Sequence, residues 1–233
     1  MGVMEWLEFP ASDQLVAALV ARIEELLSAG IRERGQATLA VSGGSTPLPL
    51  FARLSEMELG WDRVTIALVD ERWVDTGSED SNENLVRRHL LQKKAAAARF
   101  VGMKNDAATA RAGEEACAAR LQTLPCPWDC LILGMGNDGH TASLFPGAAN
   151  LAAAVDLHSG RICMAIQPPA APHERMSLTL PSILNSRQLI LHLQGAEKKK
   201  VLAQAQEDGD AAEMPIRYVL RQQTAPLAVY LSL

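Results

Sequence analysis

The sequence predicts an α/β protein, a single domain whose mostly parallel sheet is flanked by helices on both faces. Three observations carry that expectation. Strand-like and helix-like runs alternate along the chain. The strand candidates Ala37–Val41, Val64–Val69 and Cys130–Leu133 are near-continuous aliphatic runs, as strands buried on both faces require. The 233 residues contain no Ser/Gly/Pro-rich linker or charge block that would divide them.

The elements follow in order. Leu15, Val16, Leu19, Val20, Ile23, Leu26 and Leu27 recur at helical spacing and mark one face of a long helix, preceded by a short strand at Glu5–Phe9. Gly30 and Gly35 are expected to punctuate its end. After strand Ala37–Val41, a helix starts at Pro47, with Ser45 or Thr46 as its cap. Strand Val64–Val69, a helix from about Asn82, strand Phe100–Met103 and an Ala-rich helix from about Asp106 to Leu124 come next. The second half reads as strands Cys130–Leu133, Ile162–Ile166 and Leu189–Leu193, a helix from Ala196, a short helix around Ile216–Arg221 and a last strand Leu227–Leu231. Ala142–Gly160 is broken by Pro146, Gly147 and Gly160 and is expected to be loop with a short helix.

Composition excludes several function classes. Hydrophobic residues make up 48% and aromatics 4%, so the core is aliphatic and a base-stacking surface is not expected. A net charge of −5 also argues against a nucleic-acid partner. The four cysteines form no C-x-x-C pair and have no histidine at ligand spacing, which reads as reduced thiols in a cytoplasmic protein with no structural metal. Met1–Pro10 has neither the basic start nor the apolar run of a signal peptide or membrane span, and Gly2 lacks the Ser or Thr that a myristoylation signal places at residue 6.

Three strand exits carry chemistry. Strand Cys130–Leu133 runs into a loop in which Gly134, Gly136 and Gly139 enclose Asp138 and lead to His140. Glycines allow close backbone approach, histidine is poised between protonation states near neutral pH, and parallel sheets bind ligands at the carboxyl ends of their strands. The same glycines satisfy G-x-G-x-x-G, but a dinucleotide fingerprint needs a helix opening at the third glycine and no acid facing the pyrophosphate; Asp138 and Pro146 break both conditions. NAD binding is therefore not expected.

The second exit, Val41–Pro47, offers the freed N–H groups of Gly43 and Gly44, with Ser45 and Thr46, at a positive helix end. That predicts a phosphate site, and the absence of a Walker lysine means a nucleoside triphosphate is not implied. At the third exit Asp70, Glu71 and Arg72 come together, ahead of the Asp80–Asn82 turn, and Arg72 brings a fixed fork of donors for an oxyanion or phosphate.

Ser42–Pro47, Asp70–Trp73 with Ser81–Asn82, Gly134–His140 continuing to Phe145–Gly147, and Arg175–Thr179 together resemble the 6-phosphogluconolactonases of the glucosamine-6-phosphate isomerase/deaminase superfamily. The resemblance runs in order from about Val41 to Lys200. It implies a single Rossmann-like domain, hydrolysis of 6-phosphoglucono-δ-lactone to 6-phosphogluconate, and no cofactor or metal. It implies His140 as general base, Asp138 or Asp70 as its support, and Arg72 as stabiliser of the developing negative charge. The Gly43–Thr46 loop, Arg175 and Lys198 are implied as phosphate anchors, although Lys199 and Lys200 beside Lys198 leave that choice open. The expected partner is the small-molecule substrate alone, with no nucleic acid and no membrane, the chain acting as a monomer or weak homodimer.

Two rivals are weighed. The deaminase branch of the superfamily carries an acidic residue after its D-G-H block, whereas this chain continues Thr141–Phe145 without one, and it reads Asp-Glu-Arg-Trp where a deaminase reads Asp-Glu-Tyr. A non-catalytic sugar-phosphate sensor is the second. The residues ahead of Gly43 are occupied by the first strand and helix, and the intact Asp138/His140 pair favours catalysis. The remaining histidines, His89, His158 and His192, read as structural or exposed, while His173 neighbours the Arg175 block.

Overall fold

Ten strands form two sheets in the computed structural model, which describes residues 4–233. In chain order they are β1 (Met4–Phe9), β2 (Ala37–Val41), β3 (Val64–Leu68), β4 (Asp70–Arg72), β5 (Arg99–Val101), β6 (Cys130–Leu133), β7 (Cys163–Ile166), β8 (Arg175–Leu178), β9 (Leu189–Gln194) and β10 (Leu227–Ser232). The helices are α1 (Ser12–Arg34), α2 (Leu48–Glu56), α3 (Asn82–His89), α4 (Ala110–Gln122), α5 (Leu151–Val155), α6 (Leu180–Leu184), α7 (Ala196–Gln206) and α8 (Ile216–Leu220). Gly2 lies outside the described residues. Among these residues no helix is long and apolar enough to cross a membrane.

The central sheet has the order β1-β10-β9-β6-β2-β3-β5, and every pairing in it is parallel. From β2 the chain steps outward through β3 to β5; from β6 it steps the other way through β9 to β10. The strand order therefore reverses between β2 and β6. At such a switch point the two outgoing loops diverge and leave a crevice at the carboxyl ends of the strands. All five residues of β2 and all four of β6 are buried, and Phe51, Trp61 and Trp128 are the bulkiest fully buried side chains of a mostly aliphatic core.

Two expectations about helix ends are corrected. Gly30 does not end α1. It sits inside the helix, where a Cβ would stand 2.9 Å from Ala37 Cβ and 3.2 Å from Asp129 Cγ, so glycine here lets helix and strand approach; Gly35, at φ 76°, makes the actual C-cap. Neither Ser45 nor Thr46 caps α2. Pro47 occupies the cap position, and the turn closes through main chain, Leu48 N–H to Ser45 O at 3.2 Å and Phe51 N–H to Pro47 O at 2.8 Å.

The three-stranded second sheet also departs from the alternating pattern. Its order is β4-β8-β7, fully antiparallel, with Asp70 opposite Ser177 and Arg72 opposite Arg175. The run Ile162–Ile166 supplies β7 here rather than a strand of the parallel sheet. Val69 joins the two sheets, donating to Val41 O at 2.9 Å and accepting from Leu178 N–H at 2.8 Å. The second sheet thus projects from the end of β3, beside the switch point.

Candidate active site

A cleft of about 300 Å³ occupies the switch point. The loop after β2 contributes Gly43, Gly44, Ser45 and Thr46; the loop after β6 contributes Gly134, Gly136, His140 and Thr141. Asp70, Arg72 and Asn82 close one side, and His192, Gln194 and Lys198 the other.

The β6 loop is a tight turn built around His140. Gly136 N–H donates to His140 O at 2.8 Å and Gly139, at φ 78°, returns its N–H to Gly136 O at 3.1 Å. A Cβ on Gly136 would fall 2.1 Å from His140 Nδ1, so only glycine leaves room for the imidazole. The ring packs against Phe145 with centroids 4.3 Å apart. Asp138 Oδ1 lies 2.6 Å from His140 Nδ1 and also accepts the His140 N–H at 3.1 Å. Partial burial pushes the Asp138 carboxyl up, but the hydrogen bond and charge of His140, with backbone donors, outweigh it and hold the carboxyl below the ordinary aspartate value. An ionised carboxylate at Nδ1 selects the tautomer with its proton there, leaving Nε2 with a free lone pair.

The second candidate support, Asp70, is engaged elsewhere. Its Oδ2 accepts from Ser143 Oγ at 2.6 Å, and its main-chain oxygen accepts from Asn82 Nδ2 at 2.9 Å. Glu71 is fully buried and accepts four hydrogen bonds, from the N–H groups of Arg72, Asn82 and Glu83 and from Ser81 Oγ, at 2.7–3.0 Å. Burial pushes its carboxyl up against those donors. Its carboxylate lies at the amino end of α3, where the helix dipole favours a negative charge. Glu71 in this way ties Arg72 to the start of α3, and Arg72 is steered further by donating to Asp80 O at 2.7 Å.

The β2 loop presents unpaired main-chain donors. Among the described residues the N–H groups of Gly43, Gly44, Ser45 and Thr46 have no protein acceptor, and they stand at the amino end of the nine-residue α2. Gly44 adopts φ 95° and Gly43 leaves no space for a side chain, since a Cβ would meet Asn82 Oδ1 at 1.9 Å. Across the cleft Lys198 is held by Asn137 Oδ1 and forms no ion pair among the described residues, whereas Lys199 is turned away to Glu8 and Lys200 does not line the cleft.

Arg175 is placed differently from the other predicted anchors. It does not line the cleft; it is 6% exposed on β8, directly across from Arg72, and donates to His173 O at 2.6 Å. Burial first, and then the neighbouring Arg72 charge, lower its pKa, while Asp70, Glu71 and Asp80 oppose the shift. His173 itself pairs with Asp80 at 3.1 Å and stays outside the cleft.

Sequence reasoning missed His192 and Gln194 as cleft residues. The apolar run of β9 hides His192, 3% exposed, whose burial pulls its pKa down to about 4. The one available signal was position, since both precede Gly195 at the carboxyl end of a strand beside β6.

A family model described as glucosamine-6-phosphate isomerases/6-phosphogluconolactonase matches residues 10–228. The chain is 44% identical to the 6-phosphogluconolactonase of Rhizobium meliloti over 95% of its own length and 96% of that protein's. It is 42% identical to the 6-phosphogluconolactonase of Pseudomonas aeruginosa, over 99% and 94%. The crystal structure of a 6-phosphogluconolactonase from Shewanella baltica superposes with a TM-score of 0.96 at 45% identity, covering 99% of this chain and 98% of that one.

Proposed function

The chain belongs to the glucosamine-6-phosphate isomerase/6-phosphogluconolactonase family, and we propose on that premise that it is a hydrolase opening 6-phosphoglucono-δ-lactone to 6-phosphogluconate, the second step of the oxidative pentose phosphate pathway. The observation that carries the reading is a single cleft that brings together a carboxylate-backed imidazole, a loop of unpaired N–H groups and a lysine that forms no ion pair among the described residues.

In this reading the phosphate sits on the Gly43–Thr46 amides and Lys198, with Arg175 adding positive field from behind Arg72. The lactone carbonyl then faces His140. Nε2 removes a proton from water as the water oxygen bonds to the carbonyl carbon, and Asp138 stabilises the imidazolium that results. Arg72 takes up the negative charge on the former carbonyl oxygen. Collapse re-forms the carbonyl, breaks the ring C–O bond and returns the proton from Nε2 to the leaving oxygen. Asp70, fixed by Ser143, offers a second carboxylate to the water or to a sugar hydroxyl.

The deaminase alternative lacks its acid, because Thr141–Phe145 contains no carboxylate and Phe145 packs its ring on His140. The residues given roles in this reading all belong to one chain, in keeping with a monomer or weak homodimer. Four free thiols and a phosphorylated metabolite as substrate support a cytoplasmic setting. Loss of freshly generated 6-phosphogluconolactone above its spontaneous rate, with no ammonia from glucosamine 6-phosphate, is the expected result. Ammonia release, or no turnover of either compound, refutes it.

A further inference from the structure

We infer that Gln194 is a substrate-positioning residue whose side-chain oxygen accepts a hydrogen bond from a sugar hydroxyl. The inference rests on the lactonase reading for the identity of the sugar.

Gln194 ends β9, half-buried, and lines the cleft four residues before Lys198. Its Nε2 is committed to the wall. It donates to Ser12 Oγ at 2.9 Å and lies 3.3 Å from His192 Nε2. Gln194 and His192 are two residues apart on one strand, so their side chains share a face. A carboxamide nitrogen has two hydrogens; one goes to Ser12, and the second goes to His192 when its Nε2 carries the lone pair. With Nε2 held at the wall, Oε1 is the amide atom left for the cleft that Gln194 lines, and no hydrogen bond reaches it among the described residues.

Ser12 and His192 serve as struts. Ser12 opens α1 but makes no capping bond; its hydroxyl oxygen accepts from Gln194 instead. His192 is buried with Gln194 as its one hydrogen-bond partner among the described residues. A neutral imidazole accepting at Nε2 carries its proton on Nδ1, which keeps the amide in this orientation.

An acceptor with no hydrogen of its own repels phosphate oxygens and suits a C–OH group. In a 6-phosphorylated lactone the hydroxyl-bearing carbons lie between the phosphate, near Lys198, and the carbonyl, near His140. Gln194 stands on the strand that leads to Lys198 and pairs with β6, which leads to His140.

The test compares wild type with Gln194→Met, which keeps the side chain's length without its polar atoms, and with Ser12→Ala, which frees the amide to rotate. KM and kcat are measured on 6-phosphogluconolactone and on lactones lacking one hydroxyl each, and 6-phosphogluconate binding is followed by calorimetry. Gln194→Met should raise KM and the 6-phosphogluconate Kd roughly three- to tenfold, the worth of one neutral hydrogen bond, with a smaller rise for Ser12→Ala. One deoxy substrate should lose that factor in wild type and lose nothing more in Gln194→Met. Unchanged KM and Kd in Gln194→Met, penalties that multiply for every deoxy substrate, or nitrogen-15 shifts placing the His192 proton on Nε2 overturn the assignment. Wild type that binds 6-phosphogluconate without turning over the lactone sinks the lactonase reading while the binding arm still judges Gln194; wild type that does neither sinks both.

Discussion

Asp138 Oδ1 stands 2.6 Å from His140 Nδ1, while Asp70, which lines the cleft where Asp138 does not, is bound to Ser143 at the same distance. The imidazole is therefore oriented from within its own loop, by a residue two positions earlier. His140→Ala should lower kcat roughly 10²- to 10⁴-fold, the range for loss of a general base, with KM little changed. Asp138→Asn should approach the same loss, because an amide donating to Nδ1 moves the imidazole proton onto Nε2. Asp138 has a depressed folded pKa, so its contribution to stability is present at neutral pH and is lost as the pH falls below the ordinary aspartate value through the lowered one. Steady-state kinetics of the two variants decide the assignment; near-normal turnover in His140→Ala ends it.

Gly136 is a space requirement, with a hypothetical Cβ 2.1 Å from His140 Nδ1. Gly136→Ala should fold, since the alanine meets side-chain atoms of His140 and Asp138 rather than backbone, yet push the imidazole off its position. Misplacement on the order of 1 Å at a reacting group lowers rate roughly 100-fold. A fall in kcat with an unchanged melting temperature is the expected pattern; an equal loss of both would make the glycine merely structural.

Substitutions at Lys198 and Lys200 separate the proposed phosphate contact from surface charge. Lys198 lines the cleft, and Lys200 is exposed and does not. Removing one charge-assisted contact to phosphate raises KM roughly ten- to a hundredfold, so Lys198→Ala should do this with kcat largely retained, and Lys200→Ala should leave both constants alone. Similar KM values for the two variants would mean that general field, not contact, holds the phosphate.

The parts of this molecule legible in sequence are those set by local pattern. Buried parallel strands such as Ala37–Val41 announce themselves as aliphatic runs, and the Gly134–His140 loop as glycines around an acid and an imidazole. The second sheet was not legible. Its strands are three or four residues long, too short for periodicity; Ile162–Ile166 reads as one more parallel strand, and Asp70–Arg72 reads as a polar strand exit rather than a strand until Arg175–Leu178, more than a hundred positions later, pairs with it. The membership of His192 and Gln194 in the cleft depends on strand order, which no local window contains; only the placement of β9 beside β6 brings them to the switch point.

His192 carries a further consequence for stability. Burial lowers its pKa from 6.5 to about 4, so the folded protein holds it neutral where the unfolded chain protonates it. Above pH 6.5 both states are neutral and the residue adds no pH dependence. As the pH falls from 6.5 to 4 the unfolded state binds the extra proton and gains free energy, so folded stability declines by roughly 3 kcal/mol. Urea unfolding at a series of pH values should show that decline in wild type, and His192→Leu, which has nothing to protonate, should follow a curve flatter by about that amount over the same window. Parallel curves for the two proteins would mean that His192 reaches solvent or a counter-charge in the native state, and would leave Gln194 without a neutral imidazole to lean on.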